Sequence, residues 1–381
     1  MKRHFSGSRE CFFATCCPGF EQFLDQELDQ IGAADRLTYP GGVEFSGPLE
    51  MMYLSNLRLR TANRVLLRIK AFRCKSYPEL FDRCRRIPWE FYLGMEGMAQ
   101  LSAHSVASRL HHSDHISSSV SAAIARHYND FGLSVTPGQQ GPTIHIRFFQ
   151  DLCTVSIDTS GEILHKRGYK EYSVSAPIRE TIAASILMWH GRTAYPAVVD
   201  PCCGSGTLVL EAASMACSAL PGAGRDFAFE KFPFFKPARF EKLKTGIDPK
   251  AISERFAGFD RDSRAIDASM KNRANLALPC TIDLHVVDAL KLQNGWGEKG
   301  LIVSNLPYGV RTADTLDSGA KDFHVRFGRK MASEFQGWDF LLVTGSEELL
   351  RLLNLKIKRS VVFYNGGISA VCASGRIGFN R

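Results

Sequence analysis

From Ala197 to Leu353 short apolar runs alternate with amphipathic stretches, and no other feature restricts the chain as strongly. Each short run reads as a strand buried on both faces, and each stretch with apolar residues every three or four positions reads as a covering helix. The order is helix Pro177–Trp189, strand Ala197–Asp200, helix Thr207–Cys217, strand Phe256–Asp260, helix Arg264–Leu276, strands Thr281–Val287 and Leu301–Ser304, helix Phe323–Phe335, strand Phe340–Thr344 and helix Ser346–Leu353. That order is the sign of a doubly wound parallel α/β sheet. The end differs, because Ile357–Tyr364, the turn Asn365-Gly366-Gly367 and Ile368–Cys372 read as an antiparallel β-hairpin. The stretch 218–250, rich in Pro, Phe, Gly and Lys/Arg, breaks the rhythm and is expected to be an insertion over the active face.

The first 165 residues follow another pattern. A strand over Cys11–Cys16, a turn at Pro18-Gly19, a helix over Phe20–Ile31, a strand over Val43–Phe45 and a helix over Pro48–Thr61 make a small α/β unit. The stripe of its first helix is Phe20, Phe23, Leu24, Glu27, Leu28 and Ile31. An α+β module follows, with strand Val65–Ile69, helices Tyr77–Arg86 and Ser117–Tyr128, and strands Thr143–Phe149 and Leu152–Asp158 around the turn Gln150-Asp151. Since 381 residues are too many for one ordinary core, the expected domains are 1–64, 65–165 and 166–381.

No apolar run reaches the roughly 18 residues that span a bilayer, and the polar opening does not read as a signal peptide, so the expected location is the cytoplasm and no membrane partner. The 11 cysteines are odd in number and contain no C-x-x-C, which argues against a disulfide framework or a zinc knuckle and for reduced thiols. The order His111-His112-Ser113-Asp114-His115 has metal-like residues but no organised set of four, so no metal is expected.

The formal charge of +8 is unevenly placed: positions 1–50 hold 4 Lys/Arg against 8 Asp/Glu, whereas 51–100 hold 10 against 4. Arg64, Arg68, Lys70, Arg73, Lys75, Arg83, Arg85 and Arg86 alternate with Phe72, Tyr77 and Trp89, a mixture that suits phosphate contact with base stacking. The competing reading is a solvated face over core aromatics.

Chemistry concentrates in the last part. Val198-Val199-Asp200-Pro201-Cys202-Cys203-Gly204-Ser205-Gly206-Thr207 is a strand, a Gly-rich turn and a helix start, where backbone N–H groups face a ligand. Val209 replaces the third glycine of a dinucleotide fingerprint and no P-loop lysine follows, which counts against a dehydrogenase. Asp260, at the end of the next strand, is placed to accept hydrogen bonds from a ribose diol, or else to cap the helix after Asp262. Asp288 repeats the arrangement one strand later, where it would meet an adenine amino group or serve as a cap. The most specific feature is Asn305-Leu306-Pro307-Tyr308-Gly309 after the strand Leu301–Ser304. An exocyclic amine is a poor nucleophile because its lone pair is delocalised. The Asn305 side-chain oxygen and the Leu306 carbonyl can accept its two N–H bonds and aim that pair, Pro307 stiffens the turn, and Tyr308 can stack on the base.

These motifs, together with Lys166-Arg167-Gly168-Tyr169, Ala176-Pro177-Ile178-Arg179-Glu180-Thr181 and Phe13-Ala14-Thr15-Cys16-Cys17-Pro18-Gly19-Phe20-Glu21, resemble the THUMP-domain RNA guanine-N2 methyltransferases of the RlmL/YpsC type and related tRNA enzymes. The resemblance implies a Rossmann-like class I methyltransferase domain, preceded by a ferredoxin-like segment and a THUMP domain. It implies S-adenosylmethionine as cofactor, held by Thr181, Asp200, Cys202, Gly204, Gly206, Asp260, Arg261 and Asp288. Asn305 to Tyr308 would hold the guanine, and Arg73, Lys75, Arg83, Arg85, Arg86, Lys166 and Arg167 would contact RNA. The bacterial rRNA enzymes carry N-P-P-Y where this chain has Leu306, a variant also found among the tRNA enzymes. The RNA expected is therefore 23S rRNA, with tRNA as the alternative and no obligate protein partner. A DNA N6-adenine methyltransferase and a non-catalytic RNA-binding protein are the rival readings. Residues 1–165 are expected to deliver RNA and to be removable without loss of cofactor affinity.

Overall fold

The computed structural model describes residues 9–133, 135, 141–172, 178–191, 194–245, 247–307 and 318–378. Two compact units form, each from separate stretches of chain. One takes the chain through Thr15, Asp25–Leu164 and Arg225–Thr245; the other takes Cys16–Leu24, His165–Gly224 and Gly246–Arg381.

The first unit is built on β1 (Glu10–Thr15), α1 (Glu21–Gln30, which begins in the second unit), β2 (Ala34–Tyr39), β3 (Gly42–Gly47), α2 (Met51–Arg58), β4 (Arg64–Arg73), α3 (Tyr77–Arg85), α4 (Trp89–Leu93), β5 (Gln100–Val106), α5 (Ser113–Asn129), β6 (Thr143–Phe149) and β7 (Leu152–Asp158). Its strands form one sheet in the order β2-β3-β1-β4-β7-β6-β5. Strand β4 pairs antiparallel with β1 on one side and β7 on the other, so the two N-terminal modules share a continuous sheet through it. The Ser76 hydroxyl caps α3 by accepting from Glu79 N–H, and Pro78 occupies the first turn. Glu27, on the apolar stripe of α1, is buried as an anchor: its carboxylate accepts from Arg60 N–H (2.8 Å), Thr61 N–H (2.9 Å) and the Thr61 hydroxyl (2.6 Å). Burial pushes its carboxyl up, and those bonds pull against the rise.

The second unit contains α6 (Glu180–His190), β8 (Ala197–Asp200) and α7 (Thr207–Ala216). After α8 (Pro237–Lys244), which belongs to the first unit, it resumes with β9 (Arg255–Asp260), α9 (Ser263–Leu276), β10 (Thr281–Val286), β11 (Leu301–Asn305), α10 (Ser318–Glu334), β12 (Asp339–Thr344), α11 (Glu347–Leu352), β13 (Ile357–Asn365) and β14 (Ile368–Arg376). The sheet order is β10-β9-β8-β11-β12-β14-β13, parallel through β12 and antiparallel at β14 and β13. Strand alternation divides the core. Val198, Val303, Leu341 and Val343 pack with Ile182, Ile186, Val209 and Leu210, while Val199, Ile302, Phe340 and Leu342 pack with Phe327, Met331 and Leu350 on the other face. The hairpin between β13 and β14 closes through Gly366 and Gly367, both left-handed (φ 62° and 90°), as a two-residue turn of the primed kind requires.

Two segments depart from the expected division. Cys16–Leu24 belongs to the second unit, where Phe20 and Phe23 are buried with Ile182, Ile186 and Leu210, and the Phe20 ring meets Phe363 edge-on at 5.9 Å. Arg225–Thr245 belongs to the first unit, so the stretch 218–250 is divided between the two units. There Phe229, Phe235 and Phe240 close around Tyr53 with ring centroids 5.0 to 5.7 Å away, and Lys236 N–H donates to the Tyr53 hydroxyl (3.1 Å). Sequence pattern missed both because aromatic burial between distant segments leaves no local period.

Candidate active site

Strand order reverses between β8 and β11, and in open α/β sheets the crevice beyond the carboxyl ends of strands at such a switch point is where ligands bind. Asp200, Asp260 and Asn305 stand at the ends of β8, β9 and β11, and Asp288 follows the end of β10. Four separate sequence motifs are thereby brought to one edge of the sheet.

The loop after β8 is shaped by two carboxylates. Asp200 is buried (1% exposed), and its Oδ1 accepts from the Ser304 hydroxyl (2.6 Å) and Cys202 N–H (3.1 Å). Asp260 accepts from Gly204 N–H (3.0 Å) on Oδ2 and from Asp262 N–H (3.0 Å) on Oδ1. A carboxylate has about four acceptor positions, so Asp260 keeps capacity for a vicinal diol. The cap of α9 is Asp262, through Arg264 N–H (3.0 Å), which removes that role from Asp260. Gly206 precedes α7 at φ 86°, and a Cβ there would lie 2.3 Å from the Ser269 hydroxyl, so the turn admits only glycine.

Asp288 accepts from Leu290 N–H (2.9 Å) and so caps a short 3-10 turn at Ala289–Lys291, the alternative role that the sequence left open for it. Thr181 is buried in the first turn of α6, Cys202 is half-buried, and Arg261 is exposed. Burial pushes the Cys202 thiol well up, which makes it a neutral lining group and not a nucleophile. Asn305 is half-buried. Leu306 is buried, its N–H donates to Val343 O on β12 (2.9 Å), and Pro307 is exposed. Tyr308, Gly309, Ala176 and Pro177 lie outside the described residues.

Burial pushes the Asp200 carboxyl up to about 7, with the Asp260 charge adding to the rise and the Ser304 and Cys202 bonds opposing it. A folded value above the unfolded 3.8 means that the fold prefers the neutral acid. This stabilising contribution is complete below about pH 4 and is lost as pH rises through 7. Without ligand, Asp200→Asn is expected to melt above the wild type at pH 8, by roughly 4 kcal/mol at most, with the gap narrowing as pH falls toward 4. Thermal melts across that range that run parallel would refute it.

Residues 167–374 match the family model described as RMKL-like, methyltransferase domain, residues 11–66 the RlmL ferredoxin-like domain and residues 74–158 the THUMP domain. The chain belongs to the RMKL-like methyltransferase family. It is 31% identical to Ribosomal RNA large subunit methyltransferase K/L of Psychromonas ingrahamii, over 97% of this chain and 50% of that protein. The chain spans about half the length of the curated relatives it matches. Among solved structures, a possible methylase from Clostridium difficile 630 superposes with a TM-score of 0.87 at 28% identity, covering 98% of this chain and 99% of that one. SMU.472, solved complexed with SAH, superposes with a TM-score of 0.83 at 27% identity and the same coverage.

In this RMKL-like chain the basic residues divide. Arg73, Lys75, Arg83, Arg86 and Lys166 are exposed; Arg85 is half-exposed and pairs with Asp130 (3.2 Å). Arg83 pairs loosely with Glu79 (3.7 Å) and Lys75 with Asp151 (3.9 Å). Arg64 and Arg68 are taken up by Asp158 and Glu44. One expectation needs correction, and one alternative left open is decided. Arg167 is buried (side chain 3% exposed) and pairs with Glu211 of α7 (3.4 Å), so it offers no cation to RNA. Phe72 and Trp89 are core residues, with the Trp89 indole N–H on Cys84 O (2.8 Å), so only half-buried Tyr77 among the three aromatics keeps exposed ring surface for a base. Among the described residues no three His, Cys, Asp or Glu converge as metal ligands, and no helix is long and apolar enough to cross a membrane.

Sequence reasoning missed Ser304, which joins β11 to the β8 loop through Asp200 and Cys202 N–H (3.2 Å). A lone hydroxyl at the buried end of Leu301-Ile302-Val303 was the signal.

Proposed function

We propose that this chain is an enzyme that transfers a methyl group from S-adenosylmethionine to N2 of a guanine in RNA, with 23S rRNA the first candidate and tRNA the second. The observation that carries the reading is Asn305-Leu306-Pro307 at the carboxyl end of β11, at the same sheet edge as the Asp200, Gly204 and Asp260 loop. Asp260 and Asp288 would hold the hydroxyl and amino groups of the nucleoside, and Gly204, Gly206 and Cys202 the backbone wall beside it. Thr181 and Arg261 complete the lining, and Asp200 acts through the turn that it holds. S-adenosylmethionine supplies an electrophilic methyl on a sulfonium. Asn305 and the Leu306 carbonyl orient the amine by accepting its N–H bonds; no strong base is needed, because the proton can leave after the methyl arrives. Such orientation is most effective where water is excluded. The family membership and the SAH complex of a structural neighbour support the cofactor, and the THUMP match supports RNA. Location with ribosomal RNA in the cytoplasm follows from the same reading.

Nucleoside mass spectrometry of rRNA, tRNA and DNA from a deletion strain tests this. Loss of N2-methylguanosine from 23S rRNA is the expected result. Loss from tRNA selects the second substrate, and loss of N6-methyladenine from DNA overturns the reading.

Charge reversal at Arg83 and Arg86 is expected to flatten the salt dependence of RNA binding. The log-log slope should fall by about 0.7 for each single-strand phosphate that the variant no longer neutralises. Titrations at several salt concentrations check it; an unchanged slope would move the RNA surface elsewhere.

A further inference from the structure

We propose that Lys170 is a positioning residue that sets the cofactor pocket by tying the first turns of α6 and α7 together. This rests on the cofactor reading above. The Lys170 side chain is 10% exposed, and its ammonium reaches Thr207 Oγ1 (2.8 Å), Glu180 Oε1 (3.0 Å) and Ile178 O (3.5 Å). An ammonium has three protons, and three acceptors meet them. Two of those acceptors belong to the start of α6, where Thr181 follows Glu180; the third opens α7 directly after Gly206.

The same short segment supplies a second buried knot. Arg167 and the Tyr169 hydroxyl both reach Glu211 Oε1, at 3.4 and 3.2 Å, one turn further along α7 than Thr207. The segment from Arg167 to Lys170 thus grips α7 at Glu211 and at Thr207, and α6 at Glu180. As a source of stability this is a costly arrangement. A cation beside two helix N-termini opposes their dipoles, and a buried ion pair gains little over packed apolar side chains. What it achieves is a fixed spacing between two helix starts, since every donor on Lys170 has one acceptor to satisfy. The functional consequence is that cofactor affinity depends on a side chain that the cofactor does not need to touch.

The test is calorimetric titration of S-adenosylhomocysteine into the full chain, well below each variant's melting temperature. Lys170→Met alone would strand the Glu180 carboxylate, so it is combined with Glu180→Gln to leave no buried charge unpaired. The neutral pair is expected to bind about tenfold more weakly or worse, the scale on which a loosened supporting shell acts. KM for the cofactor should rise while kcat at saturation stays near wild type, and Lys170→Arg, which keeps charge and donors, should recover most of the affinity. Thr207→Val removes only the hydroxyl acceptor and should weaken binding in the same direction; if the neutral pair does not fold, this variant decides. Binding by Thr207→Val and the neutral pair equal to wild type would overturn the proposal, as would an equal fall in kcat and affinity, which marks general loosening. A wild-type chain that does not bind S-adenosylhomocysteine would instead remove the cofactor reading.

Discussion

Asn305→Ala is expected to lower single-turnover methyl transfer by roughly 10²- to 10³-fold, the usual loss when one oriented partner at a reacting centre is removed. S-adenosylhomocysteine and RNA should still bind. Asn305 ends β11, which is paired with β12 through Val343, and the next N–H is bound to Val343 O. The backbone of the turn is therefore held independently of the Asn305 side chain, and alanine removes the amide without moving the strand. Asn305→Asp should not rescue, because a carboxylate accepts on both oxygens, cannot donate, and places a charge beside the base. Rapid-quench transfer of labelled methyl, followed by nucleoside analysis, is the measurement. A variant within a few-fold of wild type, or a product methylated on ribose oxygen or ring carbon, would sink the amine-clamp reading of this turn.

Phe20→Ala is expected to destabilise the unit that holds the candidate active site by roughly 3 to 5 kcal/mol, the cost of emptying a large buried aromatic site. For a unit of that size this corresponds to a fall on the order of 10 °C in melting temperature. Phe20 comes from the first twenty residues of the chain, yet it is fully buried with Ile182, Ile186 and Leu210 and touches Phe363. Deleting residues 1–165 should therefore fail to give a folded catalytic fragment. It strips Phe20 and Phe23 from one core and deprives Phe229, Phe235 and Phe240 of Tyr53 in the other. Scanning calorimetry of the variant and cofactor titration of the fragment check both statements. A fragment that melts cooperatively and binds S-adenosylhomocysteine at full affinity would disprove the shared core.

Much of the second unit was legible because its information is local. Apolar runs such as Val198-Val199 are buried on both faces by the position of their strand, and Gly366-Gly367 supplies the two left-handed residues of its hairpin turn. The strand-end and turn positions of Asp200, Gly204, Gly206, Asp260 and Asn305 were legible because a strand end followed by a tight turn has its own residue pattern. Strands β2 and β5 were not found. Both are sheet edges: Ala34–Tyr39 carries no apolar alternation, and the half-buried positions of Gln100–Val106 are Leu101, Ala103 and Ser105, too weakly apolar to read.

The sequence by itself determined the doubly wound sheet, the antiparallel end and the strand-end residues of the candidate site, since periodicity and turn chemistry act within a few residues of their cause. Tertiary structure alone decided where long-range partners lie. Arg167 reads as one more cation until Glu211, 44 positions away, is seen to bury it. Nothing in the residues next to Lys170 marks it, and only the fold brings Glu180 and Thr207 to its ammonium. The aromatic segment 225–245 reads as an insertion in the second unit until Tyr53 draws it into the core of the first. Buried charge and aromatic packing are satisfied by whichever residue the fold brings within reach, and sequence separation carries no record of that distance.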